Sequence, residues 1–411
     1  MSFHPRVALF CETYHEINGV ALTARQLVAF AKRHDYPLLA IHGGKQPGVC
    51  NEGSVRRIEL RRSWLSIGIE RDLEFDFAFC RYGNRIRREL LEFRPDVIHI
   101  TSPGELGELG VYLSWKLKIP LVASWHTNFH QFAARRLQKL IGFLPKRIVR
   151  PTVAWSQRLG LWILLWFYDF ADVTLAPAAQ QVAWLERELG KPSFLMPRGV
   201  DTEEFNPKHR TGQDGILRLG FVGRVTPEKG VRLLQKIEQA LLESGLKDFR
   251  IIVVGDGSEV GWLKQRLAHG EFLGVLRGDE LARAYANMDV FVFPSRTDTF
   301  GNVVQEAAAS GVAAVVTNEG GPRNLVVHGE TGYIAEKDPE FVRRVVELAH
   351  NRELLKKWGS AARERMAGIT WDGAFEKTYA AYRHCLPAER RSECLGEKVK
   401  AAAQTHAGLR R

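Results

Sequence analysis

Short apolar runs with no polar face recur along this chain, and each of them runs into a turn. Ile251–Val254 (IIVV) and Phe291–Phe293 (FVF) are the plainest cases. A strand with apolar side chains at successive positions needs cover on both sides, which confines it to a sheet flanked by helices. In the second half these runs are Leu217 to Val222, Phe249 to Val254, Val290 to Phe293 and Ala313 to Val316, with helical stretches between them. The first half offers Val7 to Phe10, Tyr36 to Ile41, Pro95 to Ile100, Pro120 to Trp125 and Val173 to Ala176, and Val20 to Arg33 has helical spacing. Strand and helix alternating in this way predict an α/β protein with mostly parallel sheets covered on both faces.

At 411 residues the chain has room for two such domains, each of roughly 150 to 200 residues. The polar, turn-rich stretch from Arg198-Gly199-Val200-Asp201 to Gly215 is the natural boundary. The expected organisation is a first α/β domain over 1–200, a linker over 201–215 and a second domain over 216–370. A returning segment over 371–386 follows, and then a basic tail over 387–411 that lacks apolar periodicity and is expected to be poorly ordered. Apolar residues make up 45% and charged residues 26%, a globular balance. The five cysteines are widely spaced with no CxxC pair, so neither a disulfide framework nor a structural zinc site is expected. With no secretory leader at the N-terminus, the expected location is cytoplasmic.

The net charge of +11 is concentrated. From Phe129 to Phe167 there are seven Lys/Arg and no acidic residue, and Leu159 to Phe167 reads LGLWILLWF. Such a run is far short of the about 20 residues a helix needs to cross a bilayer. Basic residues beside Trp-rich apolar surface suit peripheral attachment to the inner face of an anionic membrane. The plainer reading is a buried helix whose cations are solvated or meet a phosphorylated ligand. Nucleic acid suits the charge, but no recognition motif accompanies it.

Chemistry concentrates at the strand ends of the second half. After Phe291–Phe293 come Pro294 and Ser295, then Asp298 and Glu306, eight residues apart, with Gly301 and Asn302 between them. A helix beginning near Gly301 puts Glu306 on its second turn and Asp298 in the loop before it. One cleft then receives a loop carboxylate, N–H groups from the helix start and a deeper carboxylate, which suits a polyhydroxylated ligand carrying phosphate. Gly223-Arg224 and Lys229-Gly230 follow another strand. Gly223 allows close backbone approach, Arg224 forks onto a pyrophosphate and Lys229 adds a point charge. These cations suit a departing nucleoside diphosphate. Each feature also has an ordinary account: solvated cations, a packing salt bridge for Glu306, a turn or cap for Asp298. Gly255-Asp256-Gly257 reads equally as structural or nucleotide-adjacent. In the first half, Asn18-Gly19 opens a helix where a phosphate or acceptor oxygen fits. His126 ends a strand and suits contact with a sugar or acceptor, its ordinary account being a satisfied structural histidine.

Taken in order, these motifs resemble the family 4 glycosyltransferases of the GT-B fold, over roughly residues 6 to 385. The likeness is to bacterial lipid glycosyltransferases and to sulfoquinovosyl- or mannosyl-transferase-like members. It implies two facing Rossmann-like domains, a nucleotide-sugar donor held by the second, and a C-terminal helix, here Trp371 to Cys385, that crosses back to the first. It implies that Asp298 faces the donor hexose, Glu306 the ribose, and Arg224 and Lys229 the diphosphate. Asp298 stands where the family's two-acid motif usually has Glu. Asn18 and Gly19 match the glycine loop of the first domain with one glycine where many members have two. His126 corresponds to the active-site histidine. Retention of anomeric configuration is implied, with no cofactor and no required divalent metal. The expected catalytic set is therefore His126, Arg224, Lys229, Asp298 and Glu306. The expected donor set is Gly19, Gly223, Arg224, Lys229, Asp298, Gly301, Asn302 and Glu306.

The expected activity is a retaining hexosyl transfer from a UDP- or GDP-sugar to a hydroxyl of a lipid or lipid-linked acceptor. Rival readings are a GT-B sugar-nucleotide epimerase, a soluble-acceptor transferase, and a non-catalytic sugar-nucleotide-binding or membrane-scaffold protein.

Overall fold

In the computed structural model the described residues are 4–16, 18–63, 66–70, 73–76, 78–126, 146–212 and 214–387. The chain divides into two compact units: residues 1–197 with 374–411, and residues 198–373. The part of the basic stretch over 129–145 and the tail over 388–411 lie outside the described residues.

The first unit holds β1 (Val7–Cys11), β2 (Leu38–Gly44), β3 (Gly48–Glu52), β4 (Val55–Arg61), a separate hairpin of β5 (Ser66–Glu70) and β6 (Leu73–Asp76), then β7 (Val97–Ile100), β8 (Leu121–Ser124), β9 (Val173–Ala176) and β10 (Ser193–Leu195). Its main sheet runs β10-β9-β8-β7-β1-β2-β4-β3, parallel except for the β3–β4 edge pair. Every residue of β1, β2, β7, β8 and β9 is buried, including the polar His42, His99, Ser124 and Thr174 among their apolar neighbours. The helix Gly19–Arg33 begins at Asn18, whose Oδ1 accepts from the Ala21 N–H at 2.8 Å. That cap satisfies one of the orphan donors of the first turn, and Lys32 and Arg33 suit the opposite end of the dipole.

The C-terminal helix, Trp371–His384, locks into this unit by polar groups inside an aromatic cluster. The Tyr36 hydroxyl donates to Glu376 at 2.8 Å, and Tyr379 packs edge-on against Tyr36. Tyr382, fully buried, hydrogen-bonds His99 Nδ1 at 2.8 Å, while His99 Nε2 meets Ser124 Oγ at 2.5 Å. One imidazole thus ties β7, β8 and the last helix together, with its buried polar atoms satisfied.

The helix Lys146–Tyr168 is two-sided. Leu164 and Tyr168 are buried in the core, whereas Trp155 (64% exposed), Leu159, Trp162 (64%), Ile163 and Trp166 (57%) face outward. Their spacing of three and four places them along one stripe. The expectation of a wholly buried helix fails on that side: the apolar residues outnumber the positions one core-facing stripe provides. Among the described residues, no helix is long and apolar enough to cross a membrane.

The second unit holds β11 (Leu217–Val222), β12 (Phe249–Val254), β13 (Gly270–Gly274), β14 (Val290–Phe293), β15 (Ala313–Thr317) and β16 (Gly332–Ala335). Its sheet is parallel throughout, in the order β13-β12-β11-β14-β15-β16. The chain winds outward from β11 through β12 to β13, then returns to β14 and winds the other way. The loops after β11 and β14 therefore leave the sheet side by side and diverge, opening a crevice at the carboxyl ends of the strands.

Candidate active site

The crevice of the second unit collects most of the expected donor residues. After β11, Gly223 leads to Arg224 and to a single 3-10 turn, Pro227–Lys229, closed by Gly230 in the left-handed region. A Cβ on Gly230 would sit 2.5 Å from the Pro294 carbonyl oxygen, so only glycine lets this turn lie against the end of β14. That contact delivers Lys229 to Asp298, and their Nζ and Oδ1 are 2.6 Å apart. The loop after β12 supports the same turn from below. A Cβ on Gly255 would overlap the Gly223 carbonyl, and Val225 donates its N–H to the Asp256 carbonyl at 2.9 Å. Gly255-Asp256-Gly257 is a backbone prop for the residues above it.

Burial pushes the Asp298 carboxyl up, but the adjoining Lys229 ammonium, then the Ser295 hydroxyl and the Arg224 guanidinium, outweigh it and hold the group below the usual carboxylate range. Asp298 is therefore an anion with one oxygen on Lys229, while its buried Oδ2 meets no hydrogen-bond donor at bonding geometry among the described residues. A buried acceptor left open in this way is costly unless a ligand hydroxyl fills it. Arg224 lies 4.0 Å from Glu228, which also accepts from the Thr226 hydroxyl at 2.6 Å.

Gly301, in the left-handed region, opens the helix Asn302–Ala309, and among the described residues no side chain caps it. Its first-turn N–H groups carry the positive end of the helix dipole. Glu306 lies on the second turn and accepts from the Tyr285 hydroxyl at 2.7 Å. Burial pushes this carboxyl up to about 7, against the Tyr285 hydrogen bond and with help from the charge of Glu204. Its partner is thus a phenol and its charged neighbour an acid, rather than the cation of an ordinary packing salt bridge. Tyr285 and Glu204 were not foreseeable from local pattern, because they lie 21 and 102 positions from Glu306.

The expected residues of the first unit fall in two places. Gly19 is the first residue of its helix, where Asn18 both caps the N-terminus and donates through Nδ2 to Glu16 at 2.9 Å. Glu16 is also paired with Arg62 at 3.4 Å. His126 follows β8 and is 7% exposed, beside Trp125, whose N–H donates to the Leu175 carbonyl. Glu105 uses its carboxylate on the Phe79 N–H at 3.0 Å, consistent with a structural role at its helix start.

Comparison with known proteins identifies the family and the fold. Residues 17–204 match the Glycosyltransferase Family 4 model and residues 217–351 match the Glycosyl transferases group 1 model. A GDP-mannose-dependent alpha-mannosyltransferase of Mycobacterium tuberculosis is 31% identical over 387 residues, 89% of this chain and 93% of that protein. An alpha-monoglucosyldiacylglycerol synthase of Streptococcus pneumoniae is 22% identical over 78% of this chain and 73% of its own length. Among solved structures, a sucrose-phosphate synthase from Thermosynechococcus elongatus superposes with a TM-score of 0.70 at 18% identity, covering 92% of this chain and 98% of that one. The fold is GT-B and the activity is glycosyl transfer. With a crevice of paired cations and carboxylates at the strand ends, and a relative at 31% identity along nearly its whole length, the chain belongs to the family 4 glycosyltransferases.

Proposed function

We propose that this chain is a retaining hexosyltransferase that moves a hexose from a UDP- or GDP-sugar to a hydroxyl of a lipid or lipid-linked acceptor. The observation that carries the reading is the part-buried Lys229–Asp298 pair at 2.6 Å, with a second carboxylate oxygen and the start of the Asn302–Ala309 helix beside it in sequence. Asp298 takes hexose hydroxyls on Oδ2. Lys229 stays on Oδ1 and, with Arg224, faces the diphosphate, where negative charge grows as the bond from the anomeric carbon breaks. N–H groups of the Gly301-Asn302 turn add to that field, and Gly223 gives the diphosphate close access to the backbone. Glu306 accepts from the ribose hydroxyls. Ligand donors there stabilise its anion and draw its proton affinity back down.

The acceptor hydroxyl attacks the anomeric carbon from the face the diphosphate leaves. Its proton passes to an oxygen of the departing phosphate, so one bond forms and one breaks with no protein intermediate. His126 orients the reacting groups. The alpha product in the name of the mannosyltransferase relative favours retention, and the diacylglycerol product named for the synthase favours a lipid acceptor. The outward stripe of Trp155, Trp162 and Trp166 lies on a helix that also exposes Arg147, Arg150 and Arg158 and carries no acid. Such a surface suits the headgroup layer of an anionic bilayer.

The test is a donor screen by mass spectrometry with extracted polar lipids as acceptors, reporting the nucleotide consumed and the mass of the product. Wild type should release one nucleoside diphosphate per hexose added, and Glu306→Ala should lose that release. Replacing Trp155, Trp162 and Trp166 by Ser should abolish sedimentation with anionic vesicles while sparing hydrolysis of the donor. Transfer to water-soluble acceptors alone would overturn the lipid reading.

A further inference from the structure

We propose that His15, His42 and Glu59 of the first unit bind one divalent cation of the zinc class. The three residues are 17 to 44 positions apart and come together through sheet register. β1, β2 and β4 are parallel neighbours, with Cys11 opposite His42 and His42 opposite Glu59. The loop that follows β1 then folds His15 over the same strand ends. Each of the three side chains places one ligand atom within 4.8 Å of the others. His15 Nε2 and Glu59 Oε2 are 3.1 Å apart, close to the about 3.3 Å between two ligands on one tetrahedral zinc.

The surroundings orient the ligands. His42 is 2% exposed and stacks on Tyr14 at 4.3 Å between ring centroids, which fixes its ring plane. Its Nδ1 lies 3.5 Å from the Gly43 carbonyl, so a proton on Nδ1 has an acceptor there while Nε2 binds a metal. Glu59 accepts from the Gln46 N–H on Oε1 at 2.7 Å, which leaves Oε2 for the cation. A Cβ on Gly44 would overlap the Glu59 carboxylate, so β2 gives up a side chain at the place this acid occupies. The nearby cations are committed elsewhere: Arg57 to Glu52, and Arg62 to Glu16.

Two imidazoles and one carboxylate form a borderline donor set suited to zinc, cobalt or nickel rather than magnesium or calcium. His15 has a half-exposed side chain, so the remaining coordination position opens to solvent and takes water or a ligand oxygen. A cation here would pin the β1 loop to β2 and β4, just ahead of the Asn18 cap. The site lies on the first unit and is independent of the diphosphate contacts argued for the second.

The probe is the metal alone. Tag-free full-length protein, stripped with chelator, is titrated with Co²⁺ and read by visible absorption, then back-titrated with Zn²⁺. Wild type should take up one equivalent more than His15→Ala or Glu59→Gln, with affinity at that site reduced about 100-fold or more in each variant. His350→Ala, on an exposed histidine bonded to Ser244, should match wild type. Zinc should raise the melting temperature of wild type and leave that of His15→Ala unmoved, which also reports that the variant is folded. Equal stoichiometry and affinity in wild type and both variants, or no saturable uptake by wild type, would overturn the proposal.

Discussion

In the second unit the loops after β11, β12 and β14 rest on one another backbone to backbone, with Gly255 under the Gly223 carbonyl and Gly230 against Pro294. In the first unit side chains tie strands, helix and loop together, with His99 of β7 held between Ser124 of β8 and Tyr382 of the last helix, and His15 turned onto Glu59. A backbone contact at that range accepts one residue type, and the glycine that satisfies it sits inside a short strand–turn–helix segment. A side-chain tie accepts several chemistries, and its partners can be remote: His99 reaches Ser124 across 25 positions and Tyr382 across 283. The crevice of the second unit is therefore written in local motifs, and the ties of the first unit in long-range register.

Four measurements break or sharpen that contrast. The largest effect is expected from Lys229→Ala, since the glycine-built turns of the second unit serve to deliver this cation. Its kcat/KM for transfer from the sugar nucleotide should fall about 10²- to 10³-fold in steady-state assays. A smaller loss would mean that the turns hold something other than a charge on the diphosphate. Next comes Gly255→Ala, which forces a side chain into the Gly223 carbonyl at a left-handed position. Chemical denaturation should show a loss of about 2–4 kcal/mol. Gly48→Ala, on an exposed edge strand with open space around it, should change stability by about 0.5 kcal/mol or less.

The third measurement is a pH series on Glu306→Gln without ligand. Burial pushes the Glu306 carboxyl up to about 7 from an ordinary 4.5, so the folded chain keeps a proton that the unfolded chain releases earlier. Its contribution is full below about 4.5 and is lost as pH rises through about 7. Wild type should therefore lose about 1–3 kcal/mol relative to the glutamine variant between pH 5 and pH 8. A flat difference would place Glu306 in a wetter setting than its Tyr285 partner indicates. The smallest effect belongs to the first unit. Tyr382→Phe removes the hydroxyl that meets His99 Nδ1, and urea titration should show a loss of about 1–2 kcal/mol.

How much could be read in advance follows the same division. The strands of both parallel sheets that are apolar at every position, such as Phe291–Phe293, were legible because burial on both faces leaves a continuous run. β4, with the sequence VRRIELR, was not: it lies next to the sheet edge, and its partly exposed positions carry Arg and Glu. β3, β10, β13 and β16 escaped for related reasons, being short, exposed or rich in polar residues. Arg224, Lys229, Asp298 and Glu306 were legible as residue types at strand ends. The phenol of Tyr285 on Glu306 was not, since a tyrosine in a helix carries no mark of what its hydroxyl meets.

By itself the sequence settles the class of the protein. Unbroken apolar runs ending in glycine turns permit only covered parallel sheets, and the order of cations and acids along the second half carries the family. Which charge touches which was decided by the tertiary structure alone. Lys229 meets Asp298 because Gly230 can lie on Pro294, and His15, His42 and Glu59 meet because three strands share a register. A local pattern fixes what a segment can form, but side chains far apart in the chain become neighbours only when strands pair and helices pack.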